Sequence, residues 1–190
     1  MLKLNVSEEV LLKLRKVAGG DSYSFLGLTL DLKQSVIKDN FGEAARYFSD
    51  WHLQLLTTLL THYATEQLVP LSGKQVKYRD LPGGSAYERA FIKRAVQPVA
   101  EAFGANPKQL AEAAALLGGK PLTLGDASVE IDALKGIPLT YIVWAAEDYP
   151  ASASILYDES ASRYLPTEDL AVLGEVATSR LLEAKRALGF

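Results

Sequence analysis

The sequence predicts a single α+β domain, in which a mostly antiparallel sheet of about five to six short strands packs with about five helices. Segments rich in β-branched and aromatic residues, typical of strands, cluster towards both ends of the chain, with helical periodicity between them. The strands and helices do not alternate regularly, as they would around a parallel sheet. No linker or low-complexity tract divides residues 1–190, so we expect one domain.

Five elements are predicted in the N-terminal part of the chain. The first helix has apolar residues at steps of three and four and ends at Gly19, and the second carries an apolar stripe through Leu55, Leu59 and Tyr63. The strands between them are rich in aromatic and β-branched side chains. In chain order the elements are a helix over 7–18, strands over 23–30 and 32–38, a helix over 50–67 and a strand over 75–78.

The elements that follow have clearer end signals. Ser85 and Glu88 have the spacing of a capping box, and Pro98 should kink or split the helix that they open, because proline removes a backbone donor. Short links that contain glycine or proline join the next three strands, which predicts an antiparallel meander. In chain order the elements are helices over 85–104 and 106–118, strands over 128–133, 137–144 and 152–157, and a helix over 167–188.

Composition excludes several classes of function. A net charge of −3 argues against general nucleic-acid binding, which needs a basic face. No apolar stretch approaches the length of a membrane span, and the N-terminus lacks the apolar core of a signal peptide, so we expect a cytoplasmic protein. The chain has no cysteine, which removes disulfides, thiolate nucleophiles and cysteine-bound metal centres.

The two histidines do not predict a metal site. His52 and His62 lie on one predicted helix, about 15 Å apart at the α-helical rise, too far to bind one metal ion together. Nothing nearby in the sequence supplies a catalytic partner. We interpret each as a structural, hydrogen-bonded imidazole, and the sequence indicates neither a metal nor a cofactor.

Charge is unevenly distributed along the chain. Residues 74–94 contain six basic side chains and two acidic ones, whereas residues 147–169 contain six acidic side chains and one basic one. In the acidic stretch the carboxylates alternate with tyrosines and prolines at predicted turns. One interpretation is that both stretches are simply solvated faces. The functional interpretation is that they form the walls of one binding cleft. The candidate ligand-binding residues are Tyr78, Arg79, Glu147, Asp148, Tyr149, Asp158, Tyr164 and Glu168.

Two blocks of motifs resemble a family catalogued as domain of unknown function 3786. The central block contains Leu71-Ser72-Gly73-Lys74 and Tyr78-Arg79-Asp80-Leu81-Pro82-Gly83-Gly84. The C-terminal block contains Gly136-Ile137-Pro138-Leu139, Glu147-Asp148-Tyr149-Pro150 and Tyr164-Leu165-Pro166-Thr167-Glu168-Asp169. The resemblance covers about residues 26–182. The resemblance implies relatives in bacteria and archaea, most of them anaerobic, and a cysteine-rich iron–sulfur segment in several of them. This chain has no cysteine and so departs from that pattern.

These observations support two hypotheses of function. The first is a non-catalytic accessory domain that binds a small ligand or a partner, such as an iron–sulfur protein, in anaerobic redox or cofactor metabolism. The second is an enzyme in which Asp148, Asp158 and Glu168 converge as acid–base groups or magnesium ligands. A homodimer built on the apolar seam of the last helix is a further possibility.

Overall fold

Two antiparallel sheets make up the β part of the protein. The computed structural model describes residues 2–41, 50–65 and 67–190, and of residues 50–52 it describes the backbone only. The first sheet has the order β1 (Leu2–Lys3), β4 (Val36–Asp39), β3 (Leu28–Asp31), β2 (Ser22–Phe25). The second has the order β5 (Gln75–Lys77), β9 (Ser152–Asp158), β8 (Ile137–Trp144), β7 (Ala127–Leu134), β6 (Lys120–Leu122). The α+β class is confirmed, but the described residues form nine strands in two sheets and not five to six in one.

The N-terminal sheet differs from the prediction of two strands. Residues 23–38 form most of three strands, because the chain reverses at Leu26 and Gly27, whose φ angles are 47° and 69°. A second turn follows at residues 32–35, where the carboxylate of Asp31 accepts hydrogen bonds from the backbone N–H groups of Lys33 and Gln34. Leucine rarely adopts a positive φ, so the first turn has no ordinary sequence signal.

The C-terminal sheet contains the predicted meander. β7, β8 and β9 pair in succession, with Val129 opposite Tyr141 and Tyr141 opposite Ile155. β5 extends the sheet beyond β9, and β6, which was not predicted, pairs with β7 through a single Lys-Pro-Leu stretch. The buried side chains of the central strands face the helices that cover the sheet.

The first two helices lie close to their predicted positions. α1 (Glu8–Ala18) begins at Ser7, whose hydroxyl accepts a hydrogen bond from the backbone of Val10, and ends at Gly19. α2 (Asp50–Tyr63) ends four residues earlier than predicted. The side chain of His52 lies outside the described residues. His62 pairs with Asp169 at 2.5 Å, a partner 107 residues away that no local pattern indicates.

The predicted helix over 85–104 is broken. α3 (Glu88–Phe91) leads into a π-helical segment, Ile92–Val96, and then into α4 (Gln97–Phe103). Pro98 stands in the first turn of α4, where its missing N–H is not needed, and the wider π turn precedes it. The predicted capping box is wrong, because Ser85 lies in a 3₁₀ turn, Gly84–Ala86, and forms no cap hydrogen bond.

The last two helices complete five helices among the described residues, if α3 and α4 count as one. α5 (Lys108–Ala115) is shorter than predicted, and α6 (Thr167–Ala187) crosses the molecule. Five of the six predicted seam residues of α6 are buried inside the chain, so they do not provide the dimer surface considered above; these are Leu170, Leu173, Ala177, Leu181 and Ala184. The sixth, Leu188, lies just beyond the helix and is 38% exposed.

A buried arginine joins α6 to the N-terminal sheet. The guanidinium of Arg180, 1% exposed, donates hydrogen bonds to the carbonyl oxygens of Leu26 and Gly27 and to both carboxylate oxygens of Asp39. It also pairs with Glu183. Buried residues from both sheets and from the helices form one hydrophobic core. Among the described residues, no helix combines the length and the apolar character that a membrane crossing requires.

Candidate functional site

Tyr78 lies at the centre of the candidate site. β5 ends at Lys77, and the chain turns through a 3₁₀ segment, Tyr78–Asp80, which places the Tyr78 ring against Phe91 with ring centroids 4.4 Å apart. The Tyr78 hydroxyl donates a hydrogen bond of 3.3 Å to the carbonyl of Thr167, at the start of α6. Burial, followed by the negative charge of Glu168, raises the pKa of Tyr78, so its hydroxyl stays protonated at neutral pH.

A pocket of about 410 Å³ opens beside this ring. One wall is the turn through Gly83 and Ala86, and the other is the first turn of α6, with Glu168 at the rim. Tyr87, 37% exposed, and Tyr78 provide aromatic surface. The volume falls in the range typical of small-molecule sites, and apolar walls with few polar groups are typical of them too.

The carboxylate of Glu168 is the free polar group of this pocket. It forms no hydrogen bond or ion pair with any other described residue, and it lies exposed at the pocket rim. The neighbouring hydroxyl of Thr167 is already engaged, since it donates a hydrogen bond of 2.7 Å to the carbonyl of Pro82. The pocket therefore offers one anionic acceptor beside an apolar, aromatic surface.

Tyr87 is held in place from the α6 side. Its hydroxyl accepts a hydrogen bond of 2.5 Å from Arg94, whose guanidinium lies 3.8 Å from the carboxylate of Glu175. Burial raises the pKa of Glu175, against the opposing effects of Arg94 and Tyr87. The aromatic wall is thus fixed by a chain of polar contacts.

A second, smaller pocket of about 190 Å³ is also lined by Tyr78. Phe91, Ile92 and Val96 form its apolar wall, and Ala153 to Ile155 of β9 form its floor. Arg79 and Glu88 stand at its mouth, 3.5 Å apart. Tyr78 therefore lines two cavities, one with a carboxylate that has no partner among the described residues and one with a paired arginine.

The structure brings three of the predicted site residues together and separates the other five. Tyr78, Arg79 and Glu168 line the adjoining pockets. Asp158 and Tyr164 hold loops together beneath the surface, and the remaining three line a separate depression. Those three are Glu147, Asp148 and Tyr149.

The carboxylate of Asp158 holds the segment that precedes β5 in place through hydrogen bonds. It accepts hydrogen bonds from the backbone and hydroxyl of Ser72 and from the backbone of Gly73 and Ser160, all within 2.8–2.9 Å. Burial alone would raise the pKa of Asp158, but these hydrogen bonds outweigh it and lower the pKa well below its ordinary value. The carboxylate is fully occupied in holding the loop.

Tyr164 is also structural. Its hydroxyl accepts a hydrogen bond of 2.6 Å from the backbone N–H of Val69 and donates one of 3.0 Å to the carbonyl of the same residue. Its ring packs 6.0 Å from that of Tyr63. A methyl group at Gly136 would lie 2.5 Å from the Tyr164 hydroxyl, so glycine is required there for close approach.

Residues 145–151 form a separate acidic and aromatic loop between β8 and β9. The carboxylate of Asp126 accepts a hydrogen bond of 2.7 Å from the backbone of Ala145, which fixes the start of the loop. Tyr149 is 83% exposed and lines a shallow depression of about 720 Å³ together with Trp144. This loop does not reach the Tyr78 pockets.

The comparison with protein families gives a match over most of the chain. A family model described as "Domain of unknown function (DUF3786)" matches residues 14–180. The chain belongs to the DUF3786 family. Neither the comparison with curated proteins nor the comparison with solved structures gives a match.

The three carboxylates of the enzyme hypothesis do not converge in this DUF3786 chain. Asp158 is bonded to the Ser72–Gly73 loop, Glu168 stands at the rim of the larger Tyr78 pocket, and Asp148 lies in the 145–151 loop. Within residues 2–41, 50–65 and 67–190, no group of three histidine, cysteine, aspartate or glutamate residues is arranged to hold a metal ion. The geometry does not assemble the site that this hypothesis requires.

The basic and acidic stretches of the DUF3786 chain meet only in part. Lys74 pairs with Glu159 at 2.6 Å, and Arg94 approaches Glu175, so the basic segment lies against the C-terminal part of the acidic one and against α6. The 145–151 loop makes no such ion pair with the described basic residues. The pockets beside Tyr78 are therefore lined by residues of both stretches, Arg79 and Glu168 among them, but not by Glu147, Asp148 or Tyr149.

Sequence reasoning missed two aromatic side chains that line the candidate pockets, Tyr87 in the larger one and Phe91 in the smaller one. They stand four residues apart, which places them on one helical face, and both are aromatic. The predicted capping box drew attention to Ser85 and Glu88 instead. Four-residue aromatic spacing next to a tyrosine-bearing turn is the signal that could have identified these two side chains.

Proposed function

We propose that this DUF3786 chain is a non-catalytic, cytoplasmic binding domain that holds a small molecule in the pocket between Tyr78, Tyr87 and Glu168. The ligand has an apolar or aromatic body and a cationic or hydrogen-bond-donating group. The unpaired carboxylate of Glu168 beside two tyrosines is the observation that carries this proposal. The apolar surface of the pocket would contact the body of the ligand, and the carboxylate of Glu168 would accept a hydrogen bond from its donor group.

The wider setting is part of the same proposal. The family resemblance implies anaerobic redox or cofactor metabolism, with an iron–sulfur protein as partner. Because the chain has no cysteine, the partner would carry the cluster, and this domain would supply recognition.

A pair of probes with one ring system and opposite charges tests the proposal. Tryptamine presents an indole and an ammonium group, and indole-3-acetate presents the same ring with a carboxylate. We expect tryptamine to shift the backbone amide resonances of Gly83, Ala86 and Tyr87 in ¹H–¹⁵N spectra, and indole-3-acetate to shift them much less.

A matched pair of variants locates the charge that is responsible. E168Q should weaken tryptamine binding about fivefold, since an exposed charge pair contributes up to roughly 1 kcal/mol. E147Q removes the same charge from the 145–151 loop and should leave binding unchanged. Equal binding of the two probes, or shifts centred away from Tyr87, would rule the proposal out.

A further inference from the structure

The outer strand of the N-terminal sheet borders a groove that the proposed small-molecule site does not use. β2 is the last strand of that sheet, and a cavity of about 600 Å³ lies along it. The turn that follows α5, at Leu116 to Gly118, forms the opposite wall, and Phe25 and Leu28 contribute buried apolar surface. Asp132 and Lys135 add one charge of each sign to the lining.

The backbone of β2 presents unpaired hydrogen-bonding groups to this groove. The N–H of Leu32 donates to the carbonyl of Asp21 at 2.9 Å, just beyond the end of the strand pair. In an antiparallel pair, bonded and non-bonded positions alternate, so Tyr23 and Phe25 also bond to β3. The N–H and C=O groups of Ser22 and Ser24 therefore point away from β3. No backbone hydrogen bond joins them to another described residue.

β2 also lacks the features that keep the other outer strands from pairing. Lysine or proline on an edge strand discourages the addition of a further strand. β1 carries Lys3, β5 carries Lys77, and β6 carries Lys120 and Pro121. β2, with the sequence Ser-Tyr-Ser-Phe, carries neither residue type. Among the outer strands of the described residues, it is the one left open to pairing.

We propose that this groove binds an extended polypeptide segment of another protein, which adds to β2 as a fifth strand. The segment's backbone bonds to Ser22 and Ser24, two residues apart, as β-augmentation requires. One of its apolar side chains packs against Leu116, which is 42% exposed at the groove wall. The α5 wall closes the far side of the groove. A single extended strand fits between β2 and this wall. A strand that belonged to the sheet of a second copy would place the next strand of that sheet against the wall.

Alternate N-methylation of one peptide tests the mode of binding. The probe is a panel of acetylated, amidated hexapeptides in which threonine alternates with valine, leucine or phenylalanine. We expect millimolar peptide to slow hydrogen exchange at the amides of Ser22 and Ser24 at least about tenfold, since exchange then requires opening of the new strand pair. Each peptide is also made in two methylated forms, one with every odd-numbered amide methylated and one with every even-numbered amide methylated. In a peptide paired with β2, one of these sets faces β2 and the other faces away. We therefore expect only the form with the outward-facing amides methylated to protect Ser22 and Ser24 from exchange.

Protein variants and concentration provide the controls. S24P removes the edge N–H and should abolish protection at Ser22, whereas S24A keeps the N–H and should preserve this protection. If S24P does not fold, the two methylated forms of the peptide test the same point on the unaltered protein. E168Q should not affect peptide binding, so this inference and the proposed function fail separately. Equal binding of both methylated forms, or no change at Ser22 and Ser24 with any peptide, would overturn the inference. So would protection that rises with protein concentration alone, which would identify a second copy as the occupant.

Discussion

Asp158 shows how one carboxylate shapes the approach to the candidate site. It joins the end of β9 to the Ser72–Gly73 turn, which leads directly into β5 and Tyr78. Its hydrogen bonds fix where β5 begins, and the position of Tyr78 follows from that. The residue therefore contributes to the site through the backbone that it holds and not by contact with a ligand.

Replacing this carboxylate by an amide tests its role. In D158N, the amide group would face the backbone N–H groups that now donate to the carboxylate. We expect a loss of about 2–3 kcal/mol in the free energy of unfolding, the range for a lost hydrogen bond to a charged group, measured by urea denaturation. D148N, in the exposed 145–151 loop, is the control and should change stability little.

The low pKa of Asp158 predicts the pH dependence of stability. Its pKa is lower in the folded chain than in the unfolded chain, so its contribution is present above the ordinary aspartate pKa of about 3.9 and is lost as the pH falls below that value. The stabilities of the unaltered protein and D158N should therefore converge in acid. A stability difference that stayed constant from neutral pH to pH values below that pKa would contradict this assignment.

Composition pointed to three residues that line the Tyr78 pockets, but not to the structural roles of two others. Tyr78, Arg79 and Glu168 belong to two unusual stretches of the sequence. The role of Asp158 depends on backbone donors about 85 residues away, and that of Tyr164 on Val69, 95 residues away. Hydrogen bonds at such separations leave no local pattern, so both residues resembled ligand-binding groups in the sequence.

At the level of secondary structure, the turn between β5 and α3 positions the aromatic ring. Gly84 lies directly against the carbonyl group of Tyr78, and a methyl group there would overlap that oxygen. The 3₁₀ turns on either side leave little room for adjustment. Gly84 is therefore required for space, whereas its neighbour Gly83 adopts a left-handed φ of 77°.

G84A tests this dependence. We expect it to cost about 2 kcal/mol of stability, within the range for overpacking, and to shift the resonances of Tyr78 and Tyr87. Gly20 has open space around its Cα and no positive φ, so G20A is the matched control and should be close to neutral. Unchanged stability of G84A in thermal or urea unfolding would show that the turn is more adaptable than the structure indicates.

The elements that the sequence did not predict have one feature in common. Tertiary contacts, and not local propensity, determine their conformation. Leu26 adopts a left-handed conformation in a turn whose carbonyl groups are held by Arg180. β6 contains a proline and forms because β7 is available for pairing. Periodic helices and the β7–β9 meander were predicted because their apolar patterns are local.

For the whole molecule, Arg180 is the main polar link between the two ends of the chain. Its partners Asp39 and Glu183 are also buried, so removing the guanidinium leaves two carboxylates without their counter-charge. Burial raises the pKa of Glu183, although Arg180 opposes the shift. Removing one member of such a buried cluster is strongly destabilising, because the charges that remain are uncompensated.

R180M should therefore cost about 3–5 kcal/mol in urea unfolding, the range for breaking a buried ion pair. The triple variant R180M/D39L/E183L removes all three charges and should recover much of this loss. R163M, at an exposed position, is the control. A triple variant no more stable than R180M would show that the cluster contributes more than the pairing of its charges.

The link between Arg180 and Asp39 also bears on how the protein is made. These residues lie 141 positions apart, and a ribosome releases the chain from the N-terminus, so the first sheet emerges long before its ionic partner. The nascent N-terminal segment would expose its apolar face until α6 had been synthesised. Early protection by a chaperone would accordingly matter more for this protein than for one whose opening segment folds by itself.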